Sequence, residues 1–463
     1  MTAGDLEPAG VVAERALAAA TLDGCVVVVS DVSEVEVRFA ANTTTTNGTR
    51  RDRQVTVVAV GTAPGGATVG TATGSGAADV LALVRAAEAD ARGNRIAEDA
   101  ADLVRGDDRD DLDRPAPVTG VGALAAVVDD LPEAFAEARA TGHVLAGFLE
   151  HRLETTSLAT STGLRRRHVQ PTGKVQLAAR TADGGNATWV GRERPDLAEV
   201  SLFDLHAELR RRLAFGARSI SLPAGRYQVV LPPDAVADLV VPLHDALGLR
   251  DAAEGHSVFS APGGGTRVGE RLAHLPVTLR SDPAEPGLEC TPFAVATASG
   301  ADVSVFDNGL PLGPTTWIDR GRLARLRTHR AEAARSGVPA APPVDNLVLD
   351  VPGATSSVED LVARTDRGLL LTCLWYLREV DPATLLLTGL TRDGVYLVER
   401  GEVVGAVNNF RFNESPVDLL ARAVEAGACE HAFSREWNEY AARLAMPALR
   451  VPDFNLSSVS QAV

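Results

Sequence analysis

Two stretches of the chain carry the same order of features, and this repetition limits the fold more than any other property. The first reads Asn47-Gly48-Thr49-Arg50-Arg51, then Val55-Thr56-Val57-Val58-Ala59, then Gly65-Gly66-Ala67-Thr68-Val69-Gly70. The second reads Thr162-Gly163-Leu164-Arg165-Arg166-Arg167, then Val175-Gln176-Leu177-Ala178-Ala179, then Gly184-Gly185-Asn186-Ala187-Thr188-Trp189-Val190-Gly191. A helical pattern follows each, over about 76–92 and about 197–213. Two copies are too few for a solenoid. They imply paired hairpin-helix units that share one sheet or pack together.

Local patterns fill in the rest of this half. Residues 11–21 suit a short helix, and the run Val26-Val27-Val28-Val29 suits a buried strand over 24–30. Polar and apolar residues alternate in Glu34-Val35-Glu36-Val37-Arg38-Phe39, which puts one strand face on a core and the other in solvent. Asn47-Gly48 offers the left-handed backbone of a tight hairpin before a strand at Val55–Val60. The charged run Arg105 to Arg114, with Pro115 and Pro117, is a solvated connection; its acidic residues lack the alternation and closing Glu of a calcium loop. A helix is expected over about 132–150, with Pro132 in its first turn.

From about residue 218 the chain is rich in strand patterns separated by turn dipeptides. Asp307-Asn308-Gly309, Asp393-Gly394 and Arg400-Gly401 sit between apolar runs, so Thr384–Thr391, Val395–Glu399 and Glu402–Asn409 are expected to form an antiparallel meander. Helices are expected at 234–247, 356–364 and 415–427, the last starting at Ser415-Pro416, and Arg335–Asn346 reads as a loop. The fold class is therefore α+β: a first unit over 1–104, a second over 105–217, and a β-rich domain over 218–463.

Charge and composition exclude several functions. The 463 residues carry 45 basic and 61 acidic side chains, a net charge of -16, which repels phosphate backbones and argues against nucleic acid. Lys174 is the sole lysine. No run of 18 apolar residues suits a membrane helix, and the start lacks the basic flank of a signal peptide, so a cytoplasmic protein without a membrane partner is expected. Cys25, Cys290, Cys373 and Cys429 lie far apart and read as buried, reduced thiols.

Common catalytic signatures are missing. Gly74-Ser75-Gly76 lacks the third glycine of a dinucleotide fingerprint, Gly173-Lys174 lacks the glycine of a phosphate loop, and Gly255-His256-Ser257-Val258-Phe259 ends in Phe where a nucleophile elbow needs Gly. The nine histidines never form the helical pair with an adjacent Glu that binds zinc and activates its water. His206 beside Glu208, and His431 beside Glu430, read as exposed helix residues.

The segment from Gly368 to Leu420 resembles a known family. Gly368-Leu369-Leu370-Leu371-Thr372, Arg378-Glu379-Val380-Asp381-Pro382, Thr388-Gly389-Leu390-Thr391-Arg392-Asp393-Gly394 and Asn408-Asn409-Phe410-Arg411-Phe412-Asn413-Glu414-Ser415 look like the C-terminal domain of the TldD/PmbA family, in its PmbA (TldE) branch. Val229-Val230-Leu231-Pro232-Pro233, Val268-Gly269-Glu270-Arg271, Phe306-Asp307-Asn308-Gly309 and Met446-Pro447-Ala448-Leu449-Arg450-Val451 extend the likeness.

The resemblance implies an intracellular peptidase assembly in which a zinc-bearing TldD subunit pairs with a PmbA-like subunit around a shared cavity; the family also carries an older label as modulator of DNA gyrase. The zinc subunit has H-E-x-x-x-H on the helix after the V-V-L-x-P strand, and a later Cys. Here that helix offers only His244, followed by Asp245, with Leu249 where a second His would fall, and no Cys follows Cys429. The chain is thus expected to bind no metal itself, with zinc in a TldD-like partner. Arg392, Arg411, Asn413 and Glu414 are the candidate substrate-binding residues, Arg411 for a carboxylate and Asn413 for peptide amides. The alternative is structural: Asp393-Gly394 as a turn, Glu414 and Ser415 as a helix cap, Asn413 as a strand tie. Two other functions fit a chain without metal ligands: a homodimeric binding or assembly protein, and a tailoring subunit in peptide natural-product biosynthesis.

Overall fold

A computed structural model describes residues 6–460. The duplicated half forms one antiparallel sheet from β1 (Gly24–Ala40), β2 (Thr43–Ala63), β3 (Gly66–Ser75), β4 (His143–Thr160), β5 (Arg165–Thr181) and β6 (Ala187–Arg194). The order β3-β2-β1-β4-β5-β6 is two three-strand meanders joined back to back, so the copies share a sheet. The joint is the pairing of β1 with β4, from Val26↔Thr160 to Phe39↔Gly147.

Alternation assigns the two faces of this sheet. At one end Cys25, Val27 and Val29 pack with Val55 and Val57 under the helices Ala9–Ala19 and Val80–Gly93. At the other end Val35, Val37 and Phe39 pack under the helices Leu131–Ala140 and Leu202–Phe215. On the reverse face Val26, Val28, Val58, Val60 and Leu158 meet Phe293, Val305 and Phe306 from the second half.

Two expectations in this half are corrected. The hairpin turn is at Ala41-Asn42, both left-handed, while Asn47 and Gly48 lie inside β2 opposite Val37 and Glu36. Tertiary bonds decide this: buried Asn42 donates to the His143 carbonyl at 2.9 Å and accepts from the Leu145 amide at 2.6 Å. The helix expected to reach residue 150 ends at Ala140, because left-handed Gly142 stops it and the following alternation belongs to β4.

The second half is a fourteen-stranded branched sheet. Its spine is the strand Leu444–Val459, antiparallel to Gly225–Leu231 and parallel to Leu347–Asp350. The expected meander is not formed. Leu386–Thr391 pairs with Leu374–Asp381 and Phe410–Glu414, whereas Val395–Glu399 pairs with Arg367–Leu371 and Glu402–Val407. Arg400-Gly401 does turn a hairpin, but Asp393-Gly394 is a crossing between sheet branches, tied by the Thr372 amide to the Gly394 carbonyl at 2.9 Å. The helix expected over 415–427 ends at Arg422, and Glu425–Ala432 is a strand. Among the described residues no helix is long and apolar enough to cross a membrane.

The Val-Gly that closes each repeat is used differently. A Cβ on Gly70 would lie 2.2 Å from the Ala87 carbonyl oxygen and the Ala91 amide, so the helix backbone rests on it; one on Gly191 would strike the Phe433 ring. Gly70→Ala should therefore lower the unfolding free energy by about 1 to 3 kcal/mol, read as a lower urea midpoint at unchanged slope.

Candidate functional site

The helix Pro233–Asp245, which follows the strand Gly225–Leu231 as expected, is buried on nearly every side. One position breaks its apolar run. Asp238 is 1% exposed and accepts from the Ser434 hydroxyl at 2.7 Å and the Glu436 amide at 3.1 Å. Burial outweighs these bonds and pushes its carboxyl up to about 8, so at neutral pH it is mostly a neutral acid. One turn earlier Asp234 accepts from the Phe433 amide at 2.8 Å and lies 3.8 Å from the Arg192 guanidinium; burial raises this carboxyl as well.

The segment after Phe433 ties both sheets to this helix. Arg435 is stacked between Trp189 of β6, at 5.1 Å, and Trp375, at 4.5 Å. Its Nη1 donates to Asp393 at 3.0 Å and to the buried Cys373 sulfur. The Trp437 indole donates to the Asp238 carbonyl at 2.9 Å. Burial pushes the Cys373 thiol up to about 12, so it is not a ready nucleophile. All four thiols are free, and three are buried as expected; Cys429 is exposed on its strand.

Facing the second half, the reverse side of the first sheet carries a cross-strand row. Glu36 lies opposite Glu150, Glu150 opposite Lys174, and Lys174 opposite Glu193. Lys174 donates to the Asn438 carbonyl, and the Arg443 amide donates to Glu193 at 3.2 Å. Burial raises the Glu150 carboxyl and pushes Glu193 up to about 7.

The candidate residues read from sequence are divided by strand parity. Thr388↔Asn413 and Leu390↔Arg411 are direct pairs, so Arg411 and Asn413 share the solvent side of Phe410–Glu414. Arg411 is exposed and donates to the Thr388 hydroxyl at 3.3 Å. Arg392 is half-buried beside Asp393, at 3.6 Å, and thus borders the Arg435 cluster. Glu414 faces the core instead, 3% exposed, where it pairs with Arg422 and accepts from the Asn455 amide at 2.6 Å. Ser415 is no side-chain cap, since its hydroxyl donates to the Thr384 carbonyl at 2.8 Å. His206 is buried 3.2 Å from Glu137 rather than exposed, and His431 lies on a strand rather than a helix.

A zinc ion does not fit this donor set. The His244 imidazole is buried edge-on against Trp317, its centroid 5.2 Å away, and the Arg327 guanidinium lies 3.5 Å from its Nδ1 and bonds the His244 carbonyl at 3.2 Å. Burial and that cation hold its pKa well below the ordinary value, and an Arg so placed repels a second cation. Among the described residues no three His, Cys, Asp or Glu side chains gather closely enough to ligate a metal.

The arrangement defines a two-sheet α+β protein whose sheets close on one buried, charge-bearing helix. Residues 224–458 match the PmbA/TldA metallopeptidase C-terminal domain, and the chain belongs to the TldD/PmbA family. It is similar in fold to TldE from Thermococcus kodakarensis, with a TM-score of 0.78 at 17% identity over 96% of this chain and 99% of that one. A Thermotoga maritima protein described as a candidate modulator of a DNA gyrase gives 0.77 at 16% identity over 96% and 99%. A Bacteroides thetaiotaomicron protein of like description gives 0.74 at 14% over 97% and 98%. No curated protein sequence matches the chain.

Sequence reading missed the Arg435 cluster because Trp189, Cys373, Trp375, Asp393 and Arg435 follow no period. Asp238 did leave a signal: a lone carboxylate amid Ala235-Val236-Ala237 and Leu239-Val240-Val241. Its raised pKa means that the folded state retains a proton the unfolded state has lost. That contribution to stability is complete below about pH 4 and is lost as pH rises toward 8, at up to about 1.4 kcal/mol per unit. Asp238→Asn should flatten the fall in melting temperature between pH 5 and 8 relative to the parent. Arg435→Ala removes the hydrogen-bonded partner of half-buried Asp393, which keeps only Arg392 at 3.6 Å among the described residues, and should cost about 1.5 to 3 kcal/mol in chemical denaturation, with Arg435→Lys restoring only part because it cannot stack as a plane.

Proposed function

We propose that the chain is a PmbA/TldE-like subunit that binds no zinc itself and assembles with a zinc-bearing TldD-like partner in processing or degrading peptides. One observation carries this reading: where the resemblance puts metal ligands, this chain has one imidazole on the helix Pro233–Asp245, that of His244, with the Arg327 guanidinium against it. Its own part is to wall the chamber and hold extended peptide. The strand Leu374–Asp381 supports that role, because among the described residues it pairs only with Leu386–Thr391, and beyond the Tyr376 amide, which Glu436 accepts from at 2.9 Å, its other edge can take an added strand. Arg411 and Asn413 stand on the same branch, two strands away, where they can meet a peptide carboxylate and amides.

The family membership supports the assembly and the TldE likeness supports the branch. Metal analysis of the isolated chain should give far less than one zinc per chain, and hydrolysis of an unfolded peptide should appear only when a TldD-like partner is added, with chelator abolishing it. One tightly bound zinc per isolated chain, or chelator-insensitive hydrolysis by the chain alone, would overturn the proposal.

A further inference from the structure

Midway along the first sheet, on its helix-bearing face, lies a cleft of about 840 Å³. The duplication creates it. One helix pair covers the Cys25–Val29 end of β1 and the other covers the Val35–Phe39 end, and between these clusters, among the described residues, the chain at Leu6–Ala9 and the connection at Asp113–Val118 wall the sheet, with Thr49, Arg51 and Gly76 at the rim. The floor is polar. In one row Arg53 lies opposite Asp31 and Asp31 opposite Thr155, with Ser33 and Ser157 in the flanking rows.

Most of this floor is internally satisfied. Arg53 is buried and grips Asp31 through Nε at 2.6 Å and Nη2 at 2.8 Å, with Nη1 on the Glu7 carbonyl. Ser33 accepts from the Thr119 amide at 3.1 Å. The exceptions are Thr155 and Ser157, which line the cleft, are each 2% exposed, and have hydroxyls with no partner among the described residues. Buried hydroxyls left unpaired destabilise the folded state, so two side by side call for a partner. At the mouth Arg51 and Arg114 are exposed and form no ion pair among the described residues.

We propose that this cleft binds a short extended peptide by its main chain and free terminal carboxylate. Two residues apart on one strand face, the hydroxyls are spaced by roughly 7 Å, the distance at which an extended chain repeats groups on one side. The two free guanidiniums offer the carboxylate charge-assisted bonds. The cleft opens on the opposite face of the sheet from the Glu36–Glu193 row, so this inference does not rest on the chamber reading above and can fail separately.

Titration of the full chain with trialanine and with its C-terminal amide tests it. Saturable binding of the acid is expected, with the amide at least about tenfold weaker, a factor typical of one lost charge-assisted bond. The double variant Thr155→Val, Ser157→Ala should melt at a higher temperature than the parent when free, yet bind trialanine at least about tenfold more weakly. Arg114→Met, a surface change that leaves the fold alone, should weaken the acid and leave the amide unaffected. The proposal is overturned if trialanine does not saturate, if acid and amide bind equally, if only inorganic phosphate binds, or if the double variant is less stable when free and binds trialanine like the parent.

Discussion

The pairing of β1 with β4 is the constraint on which the rest of the molecule depends. It turns two three-strand meanders into one sheet, and the period-two pattern of both strands then fixes what each face must meet. A slip of one residue would move Val27, Val29, Val35 and Val37 away from their helices and place Ser30, Glu34 and Glu36 in the two cores. No such register buries enough apolar surface. Helices therefore gather on one side, and the strand-rich half must take the other.

Where the halves meet, the contact is only partly oily. Val26, Val28, Val58 and Leu158 meet Phe293, Val305 and Phe306, but around the helix Pro233–Asp245 the junction is made by Arg192, Arg212, Glu208, Asp234 and Arg435. Charges taken from water need full pairing, and here they receive it from one another, from backbone amides and from the faces of Trp189 and Trp375. Such a junction sets the relative placement of the sheets more narrowly than an apolar contact, because geometry as well as area must be met.

Much of this was legible in the chain itself. The duplication implied units that share one sheet or pack together, the alternation at Glu34–Phe39 implied the strand, and local patterns implied the α+β class and a helix at 234–247, which runs from Pro233 to Asp245. What failed was pairing decided over long distances. Asn47-Gly48 is a good turn by local chemistry, yet Asn42, anchored to His143 and Leu145 a hundred residues on, takes the turn instead. Asp393-Gly394 likewise has hairpin composition, but Arg435 and Thr372 hold it as a crossing. Of the four residues singled out for substrate, parity leaves Arg411 and Asn413 on an open face, sets Arg392 beside a buried cluster and turns Glu414 inward. A single sequence states the period of a strand but not its neighbour.

The row that contains Lys174 gives the molecule an unusual practical property. All the other Lys and Arg positions are arginine, so the chain has one side-chain amine, set between Glu150 and Glu193 on the face that looks toward the second sheet. Acylating reagents, which react with the neutral form of an amine, have a single side-chain address there. A fluorophore installed at that address would sit at the junction of the two halves, beside Asn438 and Arg443, and report on changes there without a cysteine having to be engineered away.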